Sequence, residues 1–290
     1  IDGQDLGTHL EIPEGITRIP SNHFSKLGFS TISLPSTLTE IADNAFNDCD
    51  NVKEIILPAQ ITSIGASAFY GCDILKSVSR MEPKAKSANI LSIGNDAFAY
   101  CWYLEDINLG KIDYVGNGAF HATKWYQNQP DGLMTIGNTI YKYKGENSMP
   151  ASTIINIPEG IKYISYEAFK DQTNLVGVTL PSTLQSIGKY AFYHCSLNEV
   201  NLPANITEIS ENAFYWNNIS KLTIPSTVNK LQSNAFANNP IEELTIEDCE
   251  QALSIDGYQD FGTSLKRVYL GRNLEGVANY ELKYNETFYD

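Results

Sequence analysis

Apolar residues recur along this chain at a spacing that is neither a sustained helical period nor a sustained strand alternation. In Leu180–Val200 they fall at Leu180, Leu184, Ile187, Ala191–Phe192, Leu197 and Val200, with Tyr190 and Tyr193 beside them. The pattern predicts a short strand, a proline stop, a second short strand and a helical turn, each sending one or two side chains inward. The first strand is plainest in Val52–Leu57, where Val52, Ile55 and Leu57 face the core. Proline follows at Pro13, Pro35, Pro58, Pro158, Pro181, Pro203 and Pro225. Without an N–H and fixed in φ, it ends the ladder where the chain must turn. A second inward pair comes next, as in Leu38/Ile41, Ile61/Ile64, Ile161/Ile164 and Ile206/Ile209. Gly65, Gly94, Gly116 and Gly188 then mark a corner that needs either positive φ or close backbone packing. An Ala-Phe pair closes the unit in a helical or 3₁₀ turn too brief to be stable alone.

The closing phenylalanines are Phe24, Phe46, Phe69, Phe98, Phe120, Phe169, Phe192, Phe214 and Phe236, separated by 22, 23, 29, 22, 49, 23, 22 and 22 residues. Self-similarity at this period is the mark of stacked leucine-rich coils, with phenylalanine piled on phenylalanine. The fold class predicted is a β-rich α/β repeat: a leucine-rich-repeat solenoid. It is expected as a right-handed superhelix of roughly ten coils, with short strands, short helical or 3₁₀ turns and an inserted β-hairpin. One domain over 1–290 is expected, with repeats in 1–124 and 151–246. Between them, 125–150 departs from the pattern. Gln129-Pro130-Asp131-Gly132 has β-turn chemistry. Leu133–Ile136, Gly137-Asn138 and Thr139–Tyr143 read as a hairpin with a glycine-first turn, protruding or covering an edge. Over 247–290 the pattern decays into an irregular last repeat and a cap carrying Tyr280, Tyr284, Phe288 and Tyr289, as expected where an open core must be closed.

Charge narrows the partners. The net charge of -14 repels phosphate backbones and anionic lipid, which argues against nucleic acid. No apolar run is long enough to cross a bilayer. The chain begins at Ile1 without a leader-like segment, so an N-terminal portion is expected to have been removed, by processing or by design. Four of the five cysteines (Cys49, Cys72, Cys101, Cys195) stand three residues after a repeat phenylalanine, and Cys249 stands elsewhere. Side chains stacked in parallel are poorly placed for disulfides, so these four are expected as buried free thiols in a small apolar slot. Gln172 and Asn217 hold the equivalent place in adjacent coils.

No catalytic constellation emerges, and no cofactor or metal is expected. His9, His23, His121 and His194 have no ligand spacing. Gly116-Asn117-Gly118 lacks the third glycine of a dinucleotide loop, Gly65–Phe69 lacks the last glycine of a nucleophile elbow, and Asp48–Asn51 lacks the features of a calcium loop. Glu242, Glu243, Glu247, Asp248 and Glu250 form an acidic cluster, read first as a solvated face and only secondarily as a cation site. Arg80, Lys84 and Lys86 are the densest basic cluster. Asn205, Asn218 and Asn285 begin glycosylation sequons, relevant only in a eukaryotic secretory pathway.

Two surfaces remain as binding candidates. The exposed centre of the first strand gives a row: Ser33, Ile56, Ser79, Asn108, Asn156, Thr179, Asn201, Thr223, Thr245 and Tyr269. Beside it run Glu54, Asp106, Glu199 and Glu243, interrupted by Lys221 and Arg267. These residues form either a flat hydrogen-bonding face or an ordinary solvated strand. The other surface follows the repeat phenylalanines: Tyr70, Tyr100, Trp102, Tyr103, Tyr193, Tyr215 and Trp216. Aromatics gathered there either anchor a ligand or cover the coil edge.

The motif Leu-Pro-Ser-Thr-Leu-x-x-Ile-x-x-x-Ala-Phe-x-x-Cys, read at Leu34–Cys49 and Leu180–Cys195, resembles the BspA-like class of bacterial leucine-rich repeats. Trp125-Tyr126-x-x-Gln129-Pro130-Asp131-Gly132, followed by Tyr141–Gly145, is similar to an insert common in that family. The resemblance implies a secreted or surface-anchored bacterial protein without catalytic residues, adhering to matrix proteins, host cells or other bacteria. Accordingly the expected role is a non-enzymatic extracellular or cell-surface binding protein, monomeric, whose partner is a protein or glycan on a host or neighbouring cell. The alternative is a structural spacer that presents another domain.

Overall fold

The computed structural model describes residues 8–81, 90–145, 148–257, 259, 261 and 264–276. Lys84, Lys86, Asn285 and the aromatic residues of the expected cap lie outside them. The described residues form β-solenoid coils in two compact units, 1–130 and 131–290.

In the first unit, the first strand of each coil builds one wall. His9–Glu11 pairs in parallel with Thr31–Ser33, and Glu54–Leu57 pairs with Ser77–Arg80, which pairs with Asp106–Asn108. The second strand of each coil builds a five-stranded parallel wall, from Arg18–Ile19 through Glu40–Ile41, Ser63–Ile64 and Leu91–Ile93 to Ile112–Val115. Between the walls lie Leu38, Ile41, Ile55, Ile61, Ile64 and Val78, all fully buried. Where a proline follows a first strand it marks the turn as expected, and its carbonyl accepts from the N–H three residues on, as in Leu38 to Pro35 (3.1 Å) and Ile61 to Pro58 (3.2 Å).

The phenylalanines form a column. In the first unit successive rings from Phe24 to Phe120 lie 5.2–5.6 Å apart and within 13° of parallel. Phe24, at the end, is half-buried, and Phe29 meets Phe46 edge-on at 6.3 Å. Trp125 closes the other end, 5.1 Å from Phe120.

The Ala-Phe corner is not helical, which corrects the expectation of a helical or 3₁₀ turn. The residues two before and two after each column phenylalanine take positive φ, for example Asn44 (56°) and Asp48 (54°) around Phe46, or Asp96 (53°) and Tyr100 (60°) around Phe98. A right-handed turn cannot hold such residues. Left-handed residues at both flanks turn the intervening N–H groups toward the next coil, so Phe46 N donates to Ala68 O at 2.8 Å and Phe69 N to Ala97 O at 2.8 Å. The one helix among the described residues is Lys124–Asn128, capped by Thr123, whose hydroxyl accepts from Tyr126 N. It occupies the start of the segment that breaks the repeat.

The corner glycines settle between the two roles considered for them. Gly65, Gly94, Gly116 and Gly188 do not have positive φ; a Cβ on each would come within 2.4–2.5 Å of a backbone nitrogen in the preceding coil. Close packing of backbone on backbone is what they permit.

The second unit opens with the hairpin. Gly132–Ile136 and Thr139–Lys144 pair antiparallel, and Gly137 at the turn has φ 57°. The hairpin covers an edge: Thr139–Lys144 continues in parallel into Tyr163–Ile164 and Ser186–Ile187. Tyr143 reaches Phe169 (6.5 Å between rings), and Tyr143 N donates to Ala168 O, so the hairpin supplies the end ring of this unit's column. Phe169, Phe192, Phe214 and Phe236 follow at 5.0–5.2 Å, within 6° of parallel. The remaining walls are Thr153–Asn156 with Leu175–Thr179, Lys221–Ile224 with Glu243–Ile246 and Arg267–Leu270, and the run Glu208–Ile209, Lys230–Leu231, Leu253–Ile255 and Leu274–Glu275.

Candidate functional site

Each aromatic candidate takes its position from the column. In the second unit, the residues two places after Phe169, Phe192, Phe214 and Phe236 are Asp171, His194, Trp216 and Asn238, all at positive φ. Coil-to-coil stacking therefore sets them in a row. His194 Nδ1 lies 2.8 Å from Asp171 Oδ1, and the imidazole lies 4.4 Å from the Trp216 ring at 28°. Trp216 is 52% exposed even with one face on the histidine, so it presents aromatic surface to solvent rather than sealing the coil. One residue nearer the column, Tyr193 and Tyr215 stack at 5.3 Å and 7°. Lys170 Nζ sits 5.9 Å from the Tyr193 ring centroid and forms an ion pair with Glu167 at 2.7 Å, which raises the lysine pKa. Asn238 Nδ2 donates to the Tyr215 hydroxyl at 2.6 Å. Tyr166 and Tyr190 extend the cluster, Tyr190 lying 5.6 Å from Tyr193.

In the first unit, Tyr70 and Tyr100 meet at 5.1 Å, and Tyr100 touches Trp102 (5.6 Å) and His121 (5.3 Å). Trp102 and Tyr103 are 48% and 56% exposed. The seven aromatic candidates thus fall into two groups, one on each unit. Tyr70, Tyr100, Tyr193 and Tyr215 are half-buried supports, whereas Trp102, Tyr103 and Trp216 are open. His194, weighed in the sequence only as a metal ligand, belongs to this surface, as do Asp171 and Asn238, which the sequence did not single out. Their signal was present: each stands two residues after a column phenylalanine, and stacking makes equal register into contact.

The polar row is in register within each run of strands. Ile56, Ser79 and Asn108 are partners, as are Asn156 with Thr179, and Thr223 with Thr245 and Tyr269. Its members are not equally available. Thr179 Oγ1 donates to Asn156 Oδ1 at 2.8 Å, so that pair is engaged with itself. Tyr269 donates to Asp248 Oδ1 at 2.9 Å, which raises the tyrosine pKa. Asn201 lies in no strand; with Thr223 it lines a hollow of about 450 Å³.

The acidic cluster has structural partners. Glu242 pairs with Lys266, Glu243 with Lys221 and Arg267, and Glu247 accepts from Ser226 N. Among the described residues, no three His, Cys, Asp or Glu side chains converge on a point that could hold a metal ion. None of their helices is long and apolar enough to cross a membrane.

The four repeat cysteines are buried and unbridged. Their slot is polar at one end, which the expectation of an apolar slot missed. Cys49, Cys72, Cys101 and Cys195 point their sulfurs at the carbonyls of Phe24, Phe46, Phe69 and Phe169, one coil back, at 3.0–3.2 Å. Burial pushes the thiols of Cys49 and Cys195 up to about 12. Asn217 fills the same place with more bonds. Its Nδ2 donates to Phe192 O (2.8 Å) and Phe214 O (3.1 Å), and its Oδ1 accepts from Leu197 N (3.0 Å).

The family model of the BspA-type leucine-rich-repeat region matches residues 6–126 and 135–261, in six copies. The chain belongs to the BspA-type leucine-rich-repeat family. Three solved structures are similar to this BspA-type chain. A leucine-rich cell-surface protein of Faecalibacterium prausnitzii A2-165 is 19% identical, over 93% of this chain and 88% of that one, with a TM-score of 0.41. The pneumococcal vaccine antigen PcpA is 23% identical, over 97% and 69%, with a TM-score of 0.42. A leucine-rich-repeat protein of Bacteroides ovatus ATCC 8483 is 17% identical, over 92% and 70%, with a TM-score of 0.35. No curated protein matches the chain. BspA-type repeats suit a binding or scaffold role, and the family is generally non-enzymatic.

Proposed function

We propose that this BspA-type chain is a monomeric, non-enzymatic binding protein of the cell surface or extracellular space, adhering through its solenoid surface to a protein or glycan on a host or neighbouring cell. Exposed aromatic surface held on rigid coils is the observation that carries the reading. Trp216 rests on His194, which is tied to Asp171, and the tryptophan still leaves half its area open. A large ring fixed before binding loses little entropy on capture, which is why tryptophan and tyrosine dominate interface energetics. A spacer has no need of such a surface, so the scaffold reading is the weaker of the two.

Glycan arrays and immobilised matrix proteins and mucins test the proposal. A Trp102→Ala/Trp216→Ala double variant is expected to lose about tenfold or more in apparent affinity for whichever ligand the native chain captures. Capture by the double variant at full strength would remove the aromatic surfaces from the function. No capture by the native chain would favour the spacer.

A further inference from the structure

We propose that the hollow beside Asn201 receives an arginine side chain of a partner polypeptide. The inference rests on the binding-module reading, but it uses the strand wall rather than the aromatic row. It starts from a break in the wall. Leu175–Thr179 pairs with the coil before it and Lys221–Ile224 with the coil after it, while residues 199–202 between them pair with neither. The last backbone bonds on this stretch are Asn198 N to Val176 O (3.1 Å) and Asn218 N to Leu197 O (3.0 Å). Chain length accounts for the loss of pairing with the earlier coil. Six residues separate Phe169 from Leu175 but five separate Phe192 from Leu197, so the strands enter the wall one residue out of step.

The break also changes the electrostatics. Farther along the wall, Glu243 bridges Lys221 at 3.3 Å and Arg267. Glu199 holds the place corresponding to Lys221 one coil earlier, yet it forms no ion pair with any described residue. Lys221, the one cation lining the hollow, is committed to Glu243 on its other side. Glu247 also lines the hollow. One of its oxygens accepts from Ser226 N at 2.9 Å, and its other oxygen has no hydrogen bond from a described residue. The remaining polar lining comes from Asn201 and the hydroxyls of Thr223, Ser226 and Thr227, with Leu202 and Pro225 among the apolar walls.

The lining therefore offers two carboxylates beside groups that can either donate or accept; its one cation is turned elsewhere, and Arg272 is committed to the carbonyls of Pro225 and Ser226. A guanidinium, which is all donors and no acceptor, matches that set, and its methylene stem suits the apolar walls. A sugar could bond the hydroxyls and the Asn201 amide but would leave the two carboxylate charges unmatched. A lysine would supply a point charge without the planar fork that two carboxylates favour. The net charge of -14 raises the local concentration of any cationic segment.

The test uses the full chain, N-acetyl-arginine-N-methylamide as probe and its neutral citrulline counterpart as control, followed by backbone amide NMR. The expected result is saturable shifts at residues 199–202 and 221–223. Affinity should fall about fivefold or more for the citrulline probe and for Glu199→Gln, whose melting temperature should not move because the side chain is exposed. Trp216→Ala is expected to leave the arginine probe unaffected. The inference is overturned by equal binding of both probes, by shifts spread over the whole acidic surface, by methyl glycosides giving the same local shifts, or by loss of binding in Trp216→Ala. If the arginine probe fails while the tryptophan double variant still abolishes adhesion, the inference falls and the binding-module reading survives.

Discussion

The residue three places after a column phenylalanine is cysteine or asparagine in six coils, and there it sits beneath the carbonyl of the previous coil's phenylalanine. A cysteine there supplies one weak donor; Asn217 and Asn239 supply two good donors and an acceptor, tying three stretches of backbone together. Asn217→Ala should strand two buried backbone groups, Phe192 O and Leu197 N, since Phe214 O also accepts from Asn239 Nδ2, and cost roughly 2–4 kcal/mol. Asn217→Cys should recover part of that by donating to Phe192 O. Denaturant melts of the two variants check the order, and equal losses would show that the carbonyl contact carries no weight. The thiols make a second prediction. Their folded pKa is raised by burial from an ordinary value of 9.0 to about 12 at Cys49 and Cys195. The unfolded chain therefore releases these protons first. Stability is fully present below about pH 9 and declines as pH rises toward 12. At about pH 8 a thiol reagent should label at most Cys249 quickly in the folded chain, and all five cysteines after denaturation. Rapid labelling of a buried cysteine without unfolding would contradict this account.

At the scale of a coil, much was legible because its parts use strong local rules. Proline stops a first strand in most of the coils that carry it, and the paired inward residues can only face the core. What could not be read was the corner. Alternating left-handed residues at Asn44 and Asp48, or Glu167 and Asp171, have no marker as strong as glycine, and they exist because coil-to-coil hydrogen bonds reward them. A short Ala-Phe corner in isolation reads as helical for the same reason that a lone turn does: sequence shows local preference, and the neighbouring coil decides. The glycines show the complementary case. Gly188→Ala would put a Cβ 2.5 Å from Tyr166 N and 2.7 Å from the Ser165 carbonyl carbon. Ala42, Ser165 and Ser210 occupy that place in other coils, so a small shift of backbone can relieve the contact. The expected cost is about 1–2 kcal/mol, the lower part of the range for overpacking. A thermal melt unchanged by the substitution would mean that the coils are not in backbone contact there.

Over the whole molecule, the candidate surfaces were visible as residue types but not as sites. Trp102 and Trp216 could be singled out by their place after the column, whereas the hollow lies beside residues 199–202, whose lack of strand partners appears only when the coils are stacked. Charge is the other property that belongs to the whole chain. The chain carries 34 acidic and 20 basic residues. Several of the bases are bound in exposed pairs from coil to coil, such as Arg18–Glu40 (2.9 Å) and Lys189–Glu211 (2.9 Å). Such pairs contribute about 0–1 kcal/mol each and weaken in salt. The surplus acids repel one another over a range that falls from about 30 Å at 0.01 M salt to about 8 Å at 0.15 M. Both terms shrink as salt is added, with opposite effects on stability. Unpaired carboxylates outnumber what the bases can neutralise, so relief of repulsion should win. The melting temperature is expected to rise by a few degrees between low and physiological salt. A fall over the same interval would show that the coil-to-coil ion pairs outweigh the net charge, and would make those pairs, rather than the buried column alone, part of what holds the coils in register.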